Sequence, residues 1–98
     1  MIARTWRGWT STGDADPYVE YLKRTGIKEY RKTPGNHSAY FLRREDGDRT
    51  EFVTLNFWDS PDAVKGFAGE DVTRAVFDPE DDRQLRDRDA TVTHHEAP

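Results

Sequence analysis

A chain of 98 residues has room for one domain and one core, residues 1–98, so a single site must carry whatever chemistry it performs. Charged residues make up 35% and hydrophobic ones 34%, which leaves little material for a self-sufficient core and favours oligomerisation, while an aromatic share of 12% excludes a disordered chain. A net charge of −4, with basic and acidic residues interspersed, argues against nucleic acid as a partner, and the lack of cysteine rules out disulfides, thiolate nucleophiles and zinc ribbons.

No apolar run approaches the length of a membrane span, and the start Met-Ile-Ala-Arg-Thr-Trp lacks the layout of a signal peptide, so no membrane and a cytoplasmic location are expected. Residues 2–12, rich in Thr, Trp and Ile, predict a strand that runs into the loop Ser11-Thr12-Gly13-Asp14. Asp16-Pro17 then reads as a cap followed by proline at the first helical position, with Val19, Leu22 and Gly26 on one face and Gly26 as the stop. A second short helical turn at 27–32 ends at Thr33-Pro34-Gly35-Asn36. Two strands, 36–44 and 50–58, flank a hairpin loop at 45–49 with Asp-Gly at its tip. Ser60-Pro61 repeats the cap-then-proline signal, and Ala63, Val64, Phe67 and Ala68 follow at helical spacing before Gly69. Asp78-Pro79-Glu80-Asp81 opens another helical turn ending near Leu85, and 91–96 closes the chain as a strand.

The order β-α-β-β-α-β predicts an α+β, ferredoxin-like fold with a four-stranded antiparallel sheet and helices on one face. On the central hairpin Tyr40 and Leu42 oppose Ala39 and Phe41, and Val53, Leu55 and Phe57 oppose Phe52 and Trp58, so both faces are apolar. Two helices can cover only one of them, and the expected cover for the other is a second copy, making a homodimer.

Trp58, ending a strand just before a capped helix, is either an aromatic wall with an indole N–H to hold an oxygen or a packed corner residue. Trp6 and Trp9 differ in strand parity, so one faces the helices and the other the dimer side. Arg4 shares Trp6's parity and Arg7 shares Trp9's; such an arginine is paired, awaits an anionic or phenolic ligand, or reaches water at the sheet margin. His94 and His95 point to opposite faces, and an inward His94 suits a general base better than a metal ligand. His94, Glu96 and His37 together form a weak candidate for a metal cluster, so no metal is expected. Asp78, Glu80, Asp81 and Asp82 sit among arginines as a solvated helix start, and Tyr18 and Tyr21 either pack or offer hydroxyls to a pocket.

The element order, the Trp-x-Ser-x-x-Ala stretch at Trp58 to Ala63, and the tract from Phe67-Ala68-Gly69-Glu70-Asp71 to Pro79-Glu80-Asp81-Asp82 resemble the antibiotic biosynthesis monooxygenase superfamily of dimeric α/β barrels, over nearly the whole chain. The resemblance implies a pocket in each protomer between sheet and helices, walled by the β face of Thr54, Asn56 and Trp58. It implies a cofactor-independent monooxygenase acting with O₂ on an aromatic or phenolic small molecule of polyketide or quinol type, with a non-catalytic small-molecule binder as the alternative and haem binding or degradation further off. Asn56, Trp58 and His94 are then the candidates for the chemistry, and Arg4, Trp6, His37, Thr54 and Phe67 for holding the substrate. In the haem-degrading branch a Trp and a His stand where this chain has Phe67 and Phe77, and the polyketide oxygenases place asparagine where this chain has Thr54, with Asn56 two residues on.

Overall fold

Alternation along the first strand organises the molecule. In the computed structural model, which describes residues 1–75 and 83–97, the elements are β1 (Ile2–Ser11), a 3₁₀ turn (Thr12–Asp14), α1 (Ala15–Arg24), α2 (Gly26–Lys32), β2 (Asn36–Asp46), β3 (Arg49–Trp58), α3 (Pro61–Ala68), β4 (Leu85–Arg88) and β5 (Thr93–Glu96). β1 pairs antiparallel with β3 along its whole length, β3 pairs with β2, and the other edge of β1 takes β5 near its start and β4 near its end. The sheet therefore has five strands where four were expected: two short segments share the fourth position. Leu85-Arg86-Asp87-Arg88 carries no apolar run, and only its pairing with Gly8–Thr10 makes it a strand. The closing strand is shorter than 91–96, with Thr91 bridging Arg74 instead. The turn expected from Asp78, its acidic cluster, and Phe77 lie outside the described residues apart from a helical Arg83-Gln84 leading into β4.

The hairpin between β2 and β3 is tighter than the five-residue loop predicted. Gly47 adopts φ +68°, which lets Gly47-Asp48 alone reverse the chain, so both strands lengthen into the turn. α1 starts one residue before Asp16, and Pro17 falls in the first turn, where the N–H groups have no intrahelical acceptor. Its buried face is Ala15, Tyr18, Tyr21 and Leu22, with Val19 at the margin; Thr25, not Gly26, breaks the helix, and Gly26 opens α2. At α3 the Ser60 hydroxyl accepts the Ala63 N–H at 3.3 Å with Pro61 first in the helix, as the sequence predicts.

All three helices cover one face. α1 packs on Phe52 and Phe41, while α2 and α3 pack on Ala39 and Trp58. The helix-side residues of β1 are Ile2, Arg4, Trp6, Gly8 and Thr10, so Trp6 is the inward tryptophan. Trp9 lies on the opposite face, sandwiched by the guanidinium groups of Arg7 and Arg49 at 5.4 and 4.9 Å from its ring. That face also carries Val53, Leu55 and Phe57 with Tyr40 and Leu42, the last two each 53% exposed.

Trp6 lies flat along its own strand. Its indole N–H donates to the Asp89 carbonyl at 2.7 Å, and a Cβ at Gly8 would meet the Trp6 ring at 2.3 Å. Gly8→Ala is therefore expected to lower stability by about 1–3 kcal/mol through overpacking, read as a lower urea midpoint with an unchanged m-value.

Candidate functional site

Three buried clusters meet under the helices without filling the space between them: Tyr18, Tyr21, Leu22 and Phe52; Ile27, Tyr30, Trp58 and Val64; and Trp6, Ala75 and Val92. The gap is a cavity of about 110 Å³, floored by Arg4, Trp6, Phe41 and Thr54 from the sheet and walled by Tyr18, Tyr21, Tyr30 and Phe67 from the helices. Its rim takes in the partly exposed Thr25 and Gly26 at the α1–α2 junction and the exposed Glu29 of α2. Tyr30 and Phe67 pack with their rings tilted by 32° and centroids 4.4 Å apart, and Trp58 meets Phe67 at 6.0 Å.

Beneath the aromatic walls the sheet presents a polar row. The register sets His94 on β5 beside Arg4 on β1, and Arg4 beside Asn56 on β3, all toward the helices, with Thr54 one step along β3 on the same face. Arg4 is 2% exposed, Asn56 0% and Thr54 5%. Each keeps a buried polar atom without a hydrogen-bond partner: Nε of Arg4, Oγ1 of Thr54 and Nδ2 of Asn56, together with Nε2 of His94. Such atoms cost about 1–3 kcal/mol apiece when left unmade, so the row is where the fold has hydrogen-bonding capacity to offer.

Arg4 does not reach water at the sheet margin, because β4 and β5 continue the sheet past it. Its Nη2 donates to the Arg74 carbonyl at 3.3 Å, its side chain bonds to the Tyr30 hydroxyl, and its guanidinium lies 5.6 Å from the Phe67 centroid. Among the described residues no carboxylate lies within ion-pair distance of it. Burial pushes its pKa below the ordinary arginine value and Tyr30 partly restores it; an arginine in this state keeps its charge.

Asn56 and Trp58 stand behind the cavity wall. The Trp58 indole N–H, a donor only, is bonded to the Asn56 side chain at 2.6 Å, which identifies the accepting atom as Oδ1 and turns the amide NH₂ toward the row. His37 is not brought to the site. A bulge at the start of β2 sets Asn36 and Ser38 against consecutive residues of β3, and His37 is thrown outward, half exposed, onto Asp59. His37 and His94 thus belong to opposite edges of the sheet, and no group of three possible metal ligands forms among the described residues. Tyr30 is the wall residue that sequence reasoning missed; its spacing of three from Ile27 in a short helix was the available signal.

With this geometry in hand, no protein-family model matches the chain, and no curated protein matches it. Solved structures do. An antibiotic biosynthesis monooxygenase aligns over 100% of this chain and 99% of its own, with TM-score 0.69 and 21% identity. The fold is that of the antibiotic biosynthesis monooxygenases. Two further structures with this monooxygenase fold show how widely its chemistry ranges. SnoaB, a cofactor-independent oxygenase from Streptomyces nogalater, aligns over 99% of this chain and 93% of its own at 19% identity and TM-score 0.63. MhuD, a haem degrader from Mycobacterium tuberculosis with two haems in its active site, aligns over 99% and 95% at 15% identity and TM-score 0.60.

Two outcomes follow from the row. Trp58→Phe removes the indole donor to Oδ1 of the fully buried Asn56, and is expected to cost about 1–3 kcal/mol in urea denaturation. Burial, then the charges of Arg4 and His95, lower the His94 pKa in the fold. The unfolded chain, titrating near 6.5, therefore binds a proton that the fold refuses, and stability falls as pH drops through about 6.5 toward the lower folded value, then levels. Denaturation midpoints compared at about pH 7.5 and 5.5 should show this drop in the wild type and a smaller one in His94→Gln.

Proposed function

We propose that this protein is a cofactor-independent monooxygenase that oxidises a phenolic small molecule with O₂, working as a homodimer with one cavity per protomer. The observation that carries the reading is a largely aromatic cavity floored by a buried cation and by hydrogen-bonding atoms that nothing in the fold occupies. The aromatic walls suit a flat ring, and the likeness in fold to SnoaB, a cofactor-independent oxygenase, supports the class of chemistry.

The reaction needs little from the protein. Loss of the phenol proton makes an electron-rich anion; transfer of one electron to O₂ and recombination form a carbon–oxygen bond; loss of water from the resulting peroxide leaves a quinone. One oxygen atom ends in the carbonyl and the other in water, and the substrate itself supplies the electrons. Arg4 and Thr54 bind the substrate's anionic end at the floor, and His94, beside Arg4 behind the lining with Asn56 and Trp58 and kept neutral by burial and by Arg4, takes the proton by relay. Haem fits less well. A hydrocarbon-lined cavity of about 150 Å³ holds a single benzene, so about 110 Å³ is far short of a porphyrin, and no histidine lines the wall among the described residues.

The uncovered face favours the dimer. Tyr40, Leu42, Val53, Leu55 and Phe57 form an apolar surface opposite the helices, and a second copy packed face to face would bury it.

In an oxygen-electrode assay with a panel of quinols, naphthols and hydroxybenzoates, at least one compound should drive O₂ uptake above the protein-free rate; uptake by none sinks the reading. For an active compound, Trp58→Ala and His94→Ala should lose most of the turnover while retaining ligand affinity, whereas unchanged turnover in both would remove Trp58 and His94 from the chemistry. Sedimentation should give a dimer for the wild type and a monomer for Leu42→Glu, and a wild-type monomer at micromolar concentration would overturn the assembly.

A further inference from the structure

Among the unpaired groups of the row, Arg4 differs in kind, because it is a full charge. Among the described residues it has no carboxylate, and a buried guanidinium in that state is costly, since desolvation is not repaid by a hydroxyl, a carbonyl and an aromatic face alone. The fold could have supplied a counter-ion from either flanking strand. Instead the neighbours in register are His94 and Asn56, and the nearest step on β3 is Thr54, all uncharged or neutral in the fold. The acidic group at the rim, Glu29, is exposed on α2 and faces Lys32 at 3.9 Å, so it leaves the floor unneutralised.

We infer that the ligand of this cavity brings the missing negative charge: it is a one-ring aromatic compound bearing a carboxylate, whose oxygens take the free Nε of Arg4 and the Thr54 hydroxyl while the ring lies between Tyr30, Phe67 and Trp6. Two observations point the same way. The unpaired donors Arg4 Nε and Thr54 Oγ1 belong to residues of the cavity floor, nine-tenths or more buried, and a carboxylate has the lone pairs to accept from both. The space of about 110 Å³, below the ~150 Å³ that encloses one benzene, takes at most a single ring, its polar substituents reaching past the apolar space into the row, and excludes a fused polycycle. The inference rests on the oxygenase reading only in taking this cavity as the substrate site, and it narrows the phenols considered there to hydroxylated benzoates. A carboxylate on Arg4 also fixes which end of the ring faces the polar row, leaving the phenol end toward the tyrosines.

The test compares 4-hydroxybenzoate with 4-hydroxybenzamide, which has nearly the same shape and no charge, by calorimetry and by quenching of tryptophan fluorescence. The wild type should bind the carboxylate about 10- to 100-fold more tightly, the range expected for charge-assisted hydrogen bonds in a buried site. Arg4→Met should bring the two within about threefold while Thr54→Val weakens the carboxylate and keeps a preference for it. Equal or tighter binding of the amide by the wild type, or binding of neither compound at millimolar concentration, overturns the inference even if Arg4→Met does not fold. Oxygen uptake measured across the phenol panel separates the two readings: a carboxylate preference with uptake by no compound retires the oxygenase and upholds the anion site, whereas uptake with equal affinity for acid and amide does the reverse.

Discussion

β1 is hydrogen-bonded along one edge to β3 and along the other to β5 and β4, and the rest of the molecule depends on that double pairing. Being central, it cannot vent a side chain to water at a sheet edge, so whatever stands at its even positions is committed to the space under the helices. Those positions hold Ile2, Arg4, Trp6, Gly8 and Thr10. A strand with this composition puts a cation in the interior and lays an indole over a glycine, and the helices are left to enclose a space that the side chains do not fill.

The helices respond to that floor. α1 supplies Tyr18 and Tyr21, α2 supplies Ile27 and Tyr30, and α3 supplies Phe67, so the roof is aromatic where the floor is polar. Tyrosine suits the contact, having a wide apolar body with one polar atom at the tip. The break at Thr25 splits what could have been one long helix into two, and Thr25 and Gly26 at the break both line the cavity. Site and fold are therefore not separable here: the unfilled hydrogen-bond capacity of the row is a cost to stability that a ligand would offset by mass action. Solved structures with this fold include an oxygenase and a haem degrader, so the fold alone does not set the chemistry.

The two faces of the sheet use arginine in opposite ways. On the outer face Arg7 and Arg49 lie over Trp9 with their charges near solvent, Arg7 also meeting Asp89 at 3.1 Å. On the inner face Arg4 has a ring beside it as well, but no acid among the described residues. An outward arginine shields an indole at little cost, because water still solvates the guanidinium. An inward one is costly unless it is used, which is why the inner arginine and not the outer pair marks the site.

Much of the framework was legible in the chain. Proline after a capping residue located α3, alternation on the central hairpin separated Tyr40 and Leu42 from Ala39 and Phe41, and parity divided Trp6 from Trp9, because these signals act over a few residues and need no distant partner. Arg4, Trp6, Thr54 and Phe67 could be put forward as cavity residues on the same grounds and on the resemblance, and they do line the cavity. The outward turn of His37, the place of β4 and the wall contributed by Tyr30 could not be read, since a bulge, an edge pairing and the packing of a seven-residue helix are each decided by what lies across the fold. What the sequence determined alone is which residues share a face. Which of those faces closes over a cavity, and that Arg4 sits there beside a neutral His94 and an amide with no carboxylate among the described residues in reach, only the tertiary structure decided, because register across three strands sets the neighbours of a buried charge.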